Sequence, residues 1–207
     1  VEAQPSTPNA AAAALHAPIP WGRLTMLCAV ITLRSWGYSG LITFIPLLLH
    51  EQGISLQVAG WLLFVFLFFG ALGGLMGGHL SDRVGRQAVI ATSLLIFPVL
   101  MAMALVLSGP LQWVFLAVAG AALLASFSVT VVFAQELLPR RLGLASGLTL
   151  GLAFGAGGVG VGLSGFLADT LGLHTSVWIL LALPGVAGVL ALPLTSARPT
   201  VHAAPEK

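Results

Sequence analysis

Long apolar runs follow one another along this chain at nearly even intervals. Six can be marked off, at about Leu24–Leu49, Leu56–Leu80, Gln87–Ser108, Leu111–Gln135, Gly143–Ala168 and His174–Leu194. Each meets the roughly 20 residues that an α-helix needs to cross the hydrocarbon core of a bilayer. Short gaps between them hold the turn formers: Glu51 to Gly53, Ser81 to Arg86, Gly109-Pro110, Pro139 to Arg141 and Asp169-Thr170. The pattern predicts an all-α polytopic membrane protein of six transmembrane helices.

Composition narrows the reading. Of 207 residues, 58% are hydrophobic and only 7% charged, where a soluble domain carries about 25% charged residues. The surface must therefore face lipid. A net charge of +2 is too small to imply nucleic acid. Cys28 stands alone in an apolar run, so neither a disulfide nor a thiol metal site is expected, and no cofactor or metal is implied. Residues 1–20 are rich in Pro and Ala and have no cationic stretch, so they read as a linker from an upstream segment rather than a signal peptide. The expected organisation is a linker or end of a central cytoplasmic loop at 1–20, a six-helix half-domain at 21–195 and a cytoplasmic tail at 196–207.

Basic residues set the orientation. With six alternating helices, Arg23, Arg83, Arg86, Arg140, Arg141, Arg198 and Lys207 all fall on one side. Both termini are thus expected in the cytoplasm. Trp61, Trp113 and Trp178, near helix starts, suit an outer aromatic belt, with Trp21 as an inner anchor.

An internal repeat runs through the helices. Gly78, Leu80, Asp82 and Gly85 recur 87 residues later as Gly165, Leu167, Asp169 and Gly172, and the same offset pairs Gly60 with Gly147, Gly70 with Gly157 and Gly73 with Gly160. Two three-helix units in tandem follow. An odd helix count forces the second to be inverted, and it has Thr170 and Leu173 where the first has Arg83 and Arg86. Inverted repeats of this kind build secondary transporters.

Arg34 lies ten residues into the first helix, about 15 Å deep at 1.5 Å per residue, near the bilayer midplane. An arginine there is costly and marks a cavity, a partner charge or a ligand. Two roles compete: binding an anionic substrate, or pairing with a carboxylate outside these helices, since none of the six holds a deep acid. Tyr38 is one turn on, Gly37 and Gly40 are expected to loosen the helix, and Pro46 to kink it. Ser126 and Thr130 share a face of the fourth helix and are candidates for the same cavity, against the alternative that they bond their own backbone. Gly143, Gly147, Gly151 and Gly155, and Gly70, Gly74 and Gly78, stand at spacing four and are expected to allow close helix packing.

The loop from Gly78 through Asp82, Arg83 and Gly85 to Arg86 resembles motif A of the major facilitator superfamily, matching every fixed position. In physical terms Gly78 would admit a close neighbour, Asp82 would end the helix and Gly85 would permit the tight turn. The resemblance implies a latch on the cytoplasmic side, with Asp82 near the positive N-terminal end of the fifth helix around Gly143 to Ala145. Glu136, with Arg140 and Arg141 after it, resembles the family's acid and basic segment closing the fourth helix, and would pair with Arg83 or Arg86. Leu33 to Trp36, Thr43 to Leu47, and Ala134 to Gly151 are similar to fosmidomycin-resistance-type efflux proteins. This resemblance spans residues 21–195. It implies the C-terminal half of a twelve-helix antiporter in a bacterial inner membrane, exporting an anionic phosphonate against protons. The missing N-terminal half, the bilayer, the substrate and protons are the implied partners. Two alternatives stand beside it. The same fold also suits a sugar, nitrate or another organic anion. More remotely, Gly162-Leu163-Ser164-Gly165 fits the serine pattern of rhomboid intramembrane proteases, which need a later histidine; His174 is the nearest.

Overall fold

The computed structural model describes residues 21–194, and these form six α-helices with no strand among them: α1 (Trp21–Glu51), α2 (Leu56–Val84), α3 (Arg86–Val106), α4 (Pro110–Leu137), α5 (Leu142–Leu171) and α6 (Leu173–Ala191). The linker and tail expected at 1–20 and 196–207 lie outside the described residues. All six helices are long and apolar enough to cross a membrane, and each expected segment matches one of them within a few residues. Helices suit this setting because they satisfy their own backbone donors and acceptors where no water reaches.

Turn chemistry explains the boundaries. Gly85, at φ 104°, ends α2 and starts α3; Gly172, at φ 84°, does the same between α5 and α6. Both positive-φ turns need glycine, and they are 87 residues apart, so the repeat extends to backbone conformation. Ser55 caps α2 by accepting from the Val58 amide at 3.4 Å, and Pro110 occupies the first turn of α4, where its missing N–H costs nothing. Asp82 does not end its helix: α2 continues through it to Val84.

The two units are interleaved. α4 packs mainly against α2 and α3, while α1 packs mainly against α5 and α6, and α3 meets α6. Exchanging the units returns the same set of neighbours, as an inverted repeat requires. Hydrogen bonds fix the helix directions: Arg86 at the start of α3 reaches Glu136 at the end of α4, Gln135 donates to Ser146 near the start of α5, and the Gln87 side chain donates to the Leu192 carbonyl after α6. The ends of α2, α4 and α6 therefore share one face with the starts of α3 and α5.

Close packing rests on particular glycines. Gly73 faces the backbone of Ala121, Gly120 faces the carbonyl of Phe66, and a Cβ at Gly77 would stand 2.7 Å from Ala125 Cα. On α1, Gly37 seats Pro184 and Gly40 seats Leu180; they are contact points in an unbroken helix, not loosened positions. That helix also runs continuously through Pro46. The spacing-four series fares differently from expectation. Gly143, Gly147, Gly151 and Gly155 have no neighbour within 4 Å, and neither does Gly78. Of the α2 series, Gly70 and Gly74 do meet α4, at Leu124 and Ser128, and the closest backbone approaches are at Gly73 and Gly77, because a face alternates steps of three and four.

Replacing Gly73 by valine should lower the thermal stability of the purified protein by about 1 to 3 kcal/mol, the cost of forcing bulk into a closed contact. Gly60→Ala, in open space, should leave the melting temperature within about 1 °C, a shift below about 0.5 kcal/mol. Equal effects of the two would refute the assignment of the α2–α4 contact.

Candidate functional site

Arg34 is 3% exposed and lines a pocket of about 180 Å³. Its surroundings divide cleanly. One wall is polar and comes from a single face of α1, where Arg34, Ser35, Tyr38 and Ser39 succeed one another at helical spacing. The facing wall is apolar: Leu124 and Phe127 from α4, Ala153 and Phe154 from α5. The guanidinium donates to Ser35 Oγ at 2.9 Å and lies 4.9 Å from the centre of the Phe127 ring, a cation–π distance. Its Nε is buried without a hydrogen-bond partner. The four acidic side chains among the described residues, Glu51, Asp82, Glu136 and Asp169, all lie in end turns of helices, so none supplies the counter-charge.

The structure joins Arg34 and Tyr38, but not the other two candidates. Ser126 and Thr130 are fully buried, and neither lines this pocket. Ser126 donates to the Leu123 carbonyl at 2.6 Å and Thr130 to the carbonyl of Ser126, as hydroxyls inside apolar helices commonly do. Ser35, Ser39, Phe127 and Phe154 were not singled out from the sequence. The two serines were within reach of that reading, since Ser35 and Ser39 flank the Arg34–Tyr38 pair at the same four-residue step. The phenylalanines gave no signal among so many apolar neighbours.

At the charged face, Arg86 is the hub. It contacts Asp82 at 3.1 Å, Glu136 at 2.6 Å and Ser81 Oγ at 3.0 Å, and so ties the end of α2 and the start of α3 to the end of α4. Of the two partners expected for Glu136, the structure selects Arg86. Arg83 is exposed near the end of α2, Arg140 is exposed in the α4–α5 connection, and Arg141 caps α5. Asp82 does not meet the start of α5: its carboxylate binds Arg86, and α2 and α5 are not packed together. Ser164 has a structural bond. Its hydroxyl donates to the Gly160 carbonyl at 2.7 Å and accepts from Trp36 Nε1 at 2.9 Å, while His174 interacts with Trp178. No serine–histidine pair forms there.

Six interleaved helices in two inverted units, with a buried cation at mid-depth and a charged cluster at one face, define a membrane-spanning bundle built on an internal repeat. The family model described as the Major Facilitator Superfamily matches residues 27–207, and the chain belongs to that superfamily. It is 49% identical over 144 residues to the uncharacterized MFS-type transporter YfnC of Bacillus subtilis (strain 168), a stretch covering 69% of this chain and 35% of that protein. It is 41% identical over 133 residues to the fosmidomycin resistance protein of Escherichia coli (strain K12), covering 63% and 31%. It is 31% identical over 107 residues to the niacin transporter NiaP of Acinetobacter baylyi, covering 50% and 24%. The chain spans about a third or less of the length of these curated relatives.

The charged cluster makes its own prediction. Arg86→Ala, which removes three contacts, should lower stability by about 1 to 2 kcal/mol, whereas Glu136→Ala, losing one exposed pair, should cost less than about 1 kcal/mol. Both effects should shrink in about 1 M salt. Thermal unfolding in detergent measures them, and a larger loss at Glu136 than at Arg86 would refute the hub.

Proposed function

We propose that this chain is the C-terminal half of a secondary transporter that exports a small organic anion by proton-coupled alternating access. A fosmidomycin-like phosphonate is the first substrate to test. The observation that carries this reading is Arg34, 3% exposed, at the wall of a pocket, and without an acid among the described residues. A guanidinium held this way attracts an anion strongly because little water competes for it. The similarity to a fosmidomycin resistance protein supports the phosphonate. The rest of the path and the proton-carrying carboxylate belong to an N-terminal six-helix half. In this reading the Arg86 cluster lies on the cytoplasmic side of a bacterial inner membrane, where its ion pairs form or break between access states, and the basic residues place both ends of the segment there.

A second reading keeps the fold and changes the cargo to another small solute such as a sugar, nitrate or a different organic anion. The match to a niacin transporter favours it.

Fosmidomycin resistance of a sensitive bacterial host decides between them. The protein joined to the remainder of its coding sequence should protect the host, Arg34→Ala should abolish protection, and residues 1–207 alone should give none. Protection that survives Arg34→Ala would remove the residue from the substrate site. No protection from a membrane-inserted, full-length protein would leave the second reading.

A further inference from the structure

The apolar wall of the Arg34 pocket says what the anion is attached to. Four polar or charged side chains stand on α1, and opposite them are only hydrocarbon and two aromatic rings, Phe127 and Phe154. Phe127 lies against the guanidinium at 4.9 Å. Phe154, although it lines the pocket, is 76% exposed. Such a ring supports little of the fold and is free to lie against something in the pocket. The pocket, about 180 Å³, is large enough for one six-membered ring with a small substituent.

Charge narrows the class further. Arg34 is the one basic side chain at mid-depth; the other basic residues among those described lie in end turns of helices or in the connections between them. One fixed positive charge is matched by one negative charge on the ligand, a carboxylate or a singly ionised phosphonate alike. The planar guanidinium also offers paired N–H donors that match a carboxylate edge to edge, and only one contact, to Ser35, is taken up in this structure.

We propose that the pocket binds small aromatic monocarboxylates, the carboxylate on Arg34 and the ring against Phe127 and Phe154. This rests on the reading of Arg34 as an anion-binding residue and adds a ligand class to it. The ring is selected because flat π surfaces pack on aromatic side chains with more than their area's worth of attraction.

The test is equilibrium binding to the protein expressed with the remainder of its coding sequence, using radiolabelled benzoate, cyclohexanecarboxylate and methylphosphonate. Benzoate should bind saturably, and roughly three- to ten-fold more tightly than cyclohexanecarboxylate, the worth of one aromatic contact. Phe154→Ala should weaken benzoate by a similar factor and leave methylphosphonate unchanged; Phe127→Leu, which keeps the bulk but not the flat face, should also weaken benzoate. Arg34→Gln should lose both anions. Equal affinity for benzoate and cyclohexanecarboxylate, benzoate binding unaltered by Phe154→Ala, or methylphosphonate binding without benzoate, would each overturn the ring subsite while leaving the anion site in place. Failure of the unaltered protein to bind either anion, or undiminished binding by Arg34→Gln, would overturn the anion site itself and the ring subsite with it.

Discussion

Helices in a bilayer are not pushed together by water, because the lipid around them is as apolar as their own side chains. What holds them is direct contact, and contact is closest where a glycine removes the side chain between two backbones. The α2–α4 pair shows this at three successive points, Gly70, Gly73 and Gly77, against Gly120, Ala121 and Ala125. The α1–α6 pair shows it at Gly37 and Gly40, where Pro184 and Leu180 seat themselves. Dispersion falls off steeply with a gap of even half an ångström, so the bundle depends on these few positions far more than on its many exposed leucines and phenylalanines.

The pocket is what results when one copy of that contact is interrupted. At the offset of 87 residues, Ala121 and Ala125 of α4 correspond to Arg34 and Tyr38 of α1. In one unit two alanines let Gly73 and Gly77 close onto them. In the other, the same two positions carry a guanidinium and a phenol, which are too large for α5 to close over. The α1–α5 seam is bridged instead by Trp36, packed on Gly160 and bonded to Ser164, the residue that replaces Gly77 in the repeat. A symmetric scaffold thus gains a site by changing side-chain size at two positions, leaving its helix topology intact.

The same contacts decide how much of the structure was legible in the sequence. Helix number, turn positions and inverted repeat were all legible, because they depend on local composition and on glycines such as Gly85 and Gly172 whose backbone conformation no other residue adopts easily. Arg34 was legible because a deep charge in a membrane helix has few meanings. The partners were not. Whether Gly78 or Gly77 meets a neighbouring helix depends on a rotation of about 100° per residue, and a run in which every face is apolar gives no cue to that angle. The same ambiguity misplaced the glycine series of α5 and hid Phe127 and Phe154. It also left Ser126 and Thr130 looking like cavity residues, when their hydroxyls turn back onto their own helix. At the charged face, two arginines stood at fixed motif positions, and only the geometry separated Arg86, which bridges three helices, from Arg83, which bridges none.

The unpartnered Nε of Arg34 bears on the whole protein. A buried donor left unsatisfied costs about 1 to 3 kcal/mol, more for a charged group, and the cation–π contact with Phe127 offsets only part of the charge's desolvation. Under the proposed function, a permanent carboxylate partner from outside these helices would hold Arg34 in one arrangement in every state. An anionic ligand that comes and goes removes the cost in one state and restores it in another, and a differential of that size is enough to shift a conformational equilibrium by an order of magnitude. Under the same proposed function, the energetic mismatch at Arg34 belongs to ligand binding rather than to the fold.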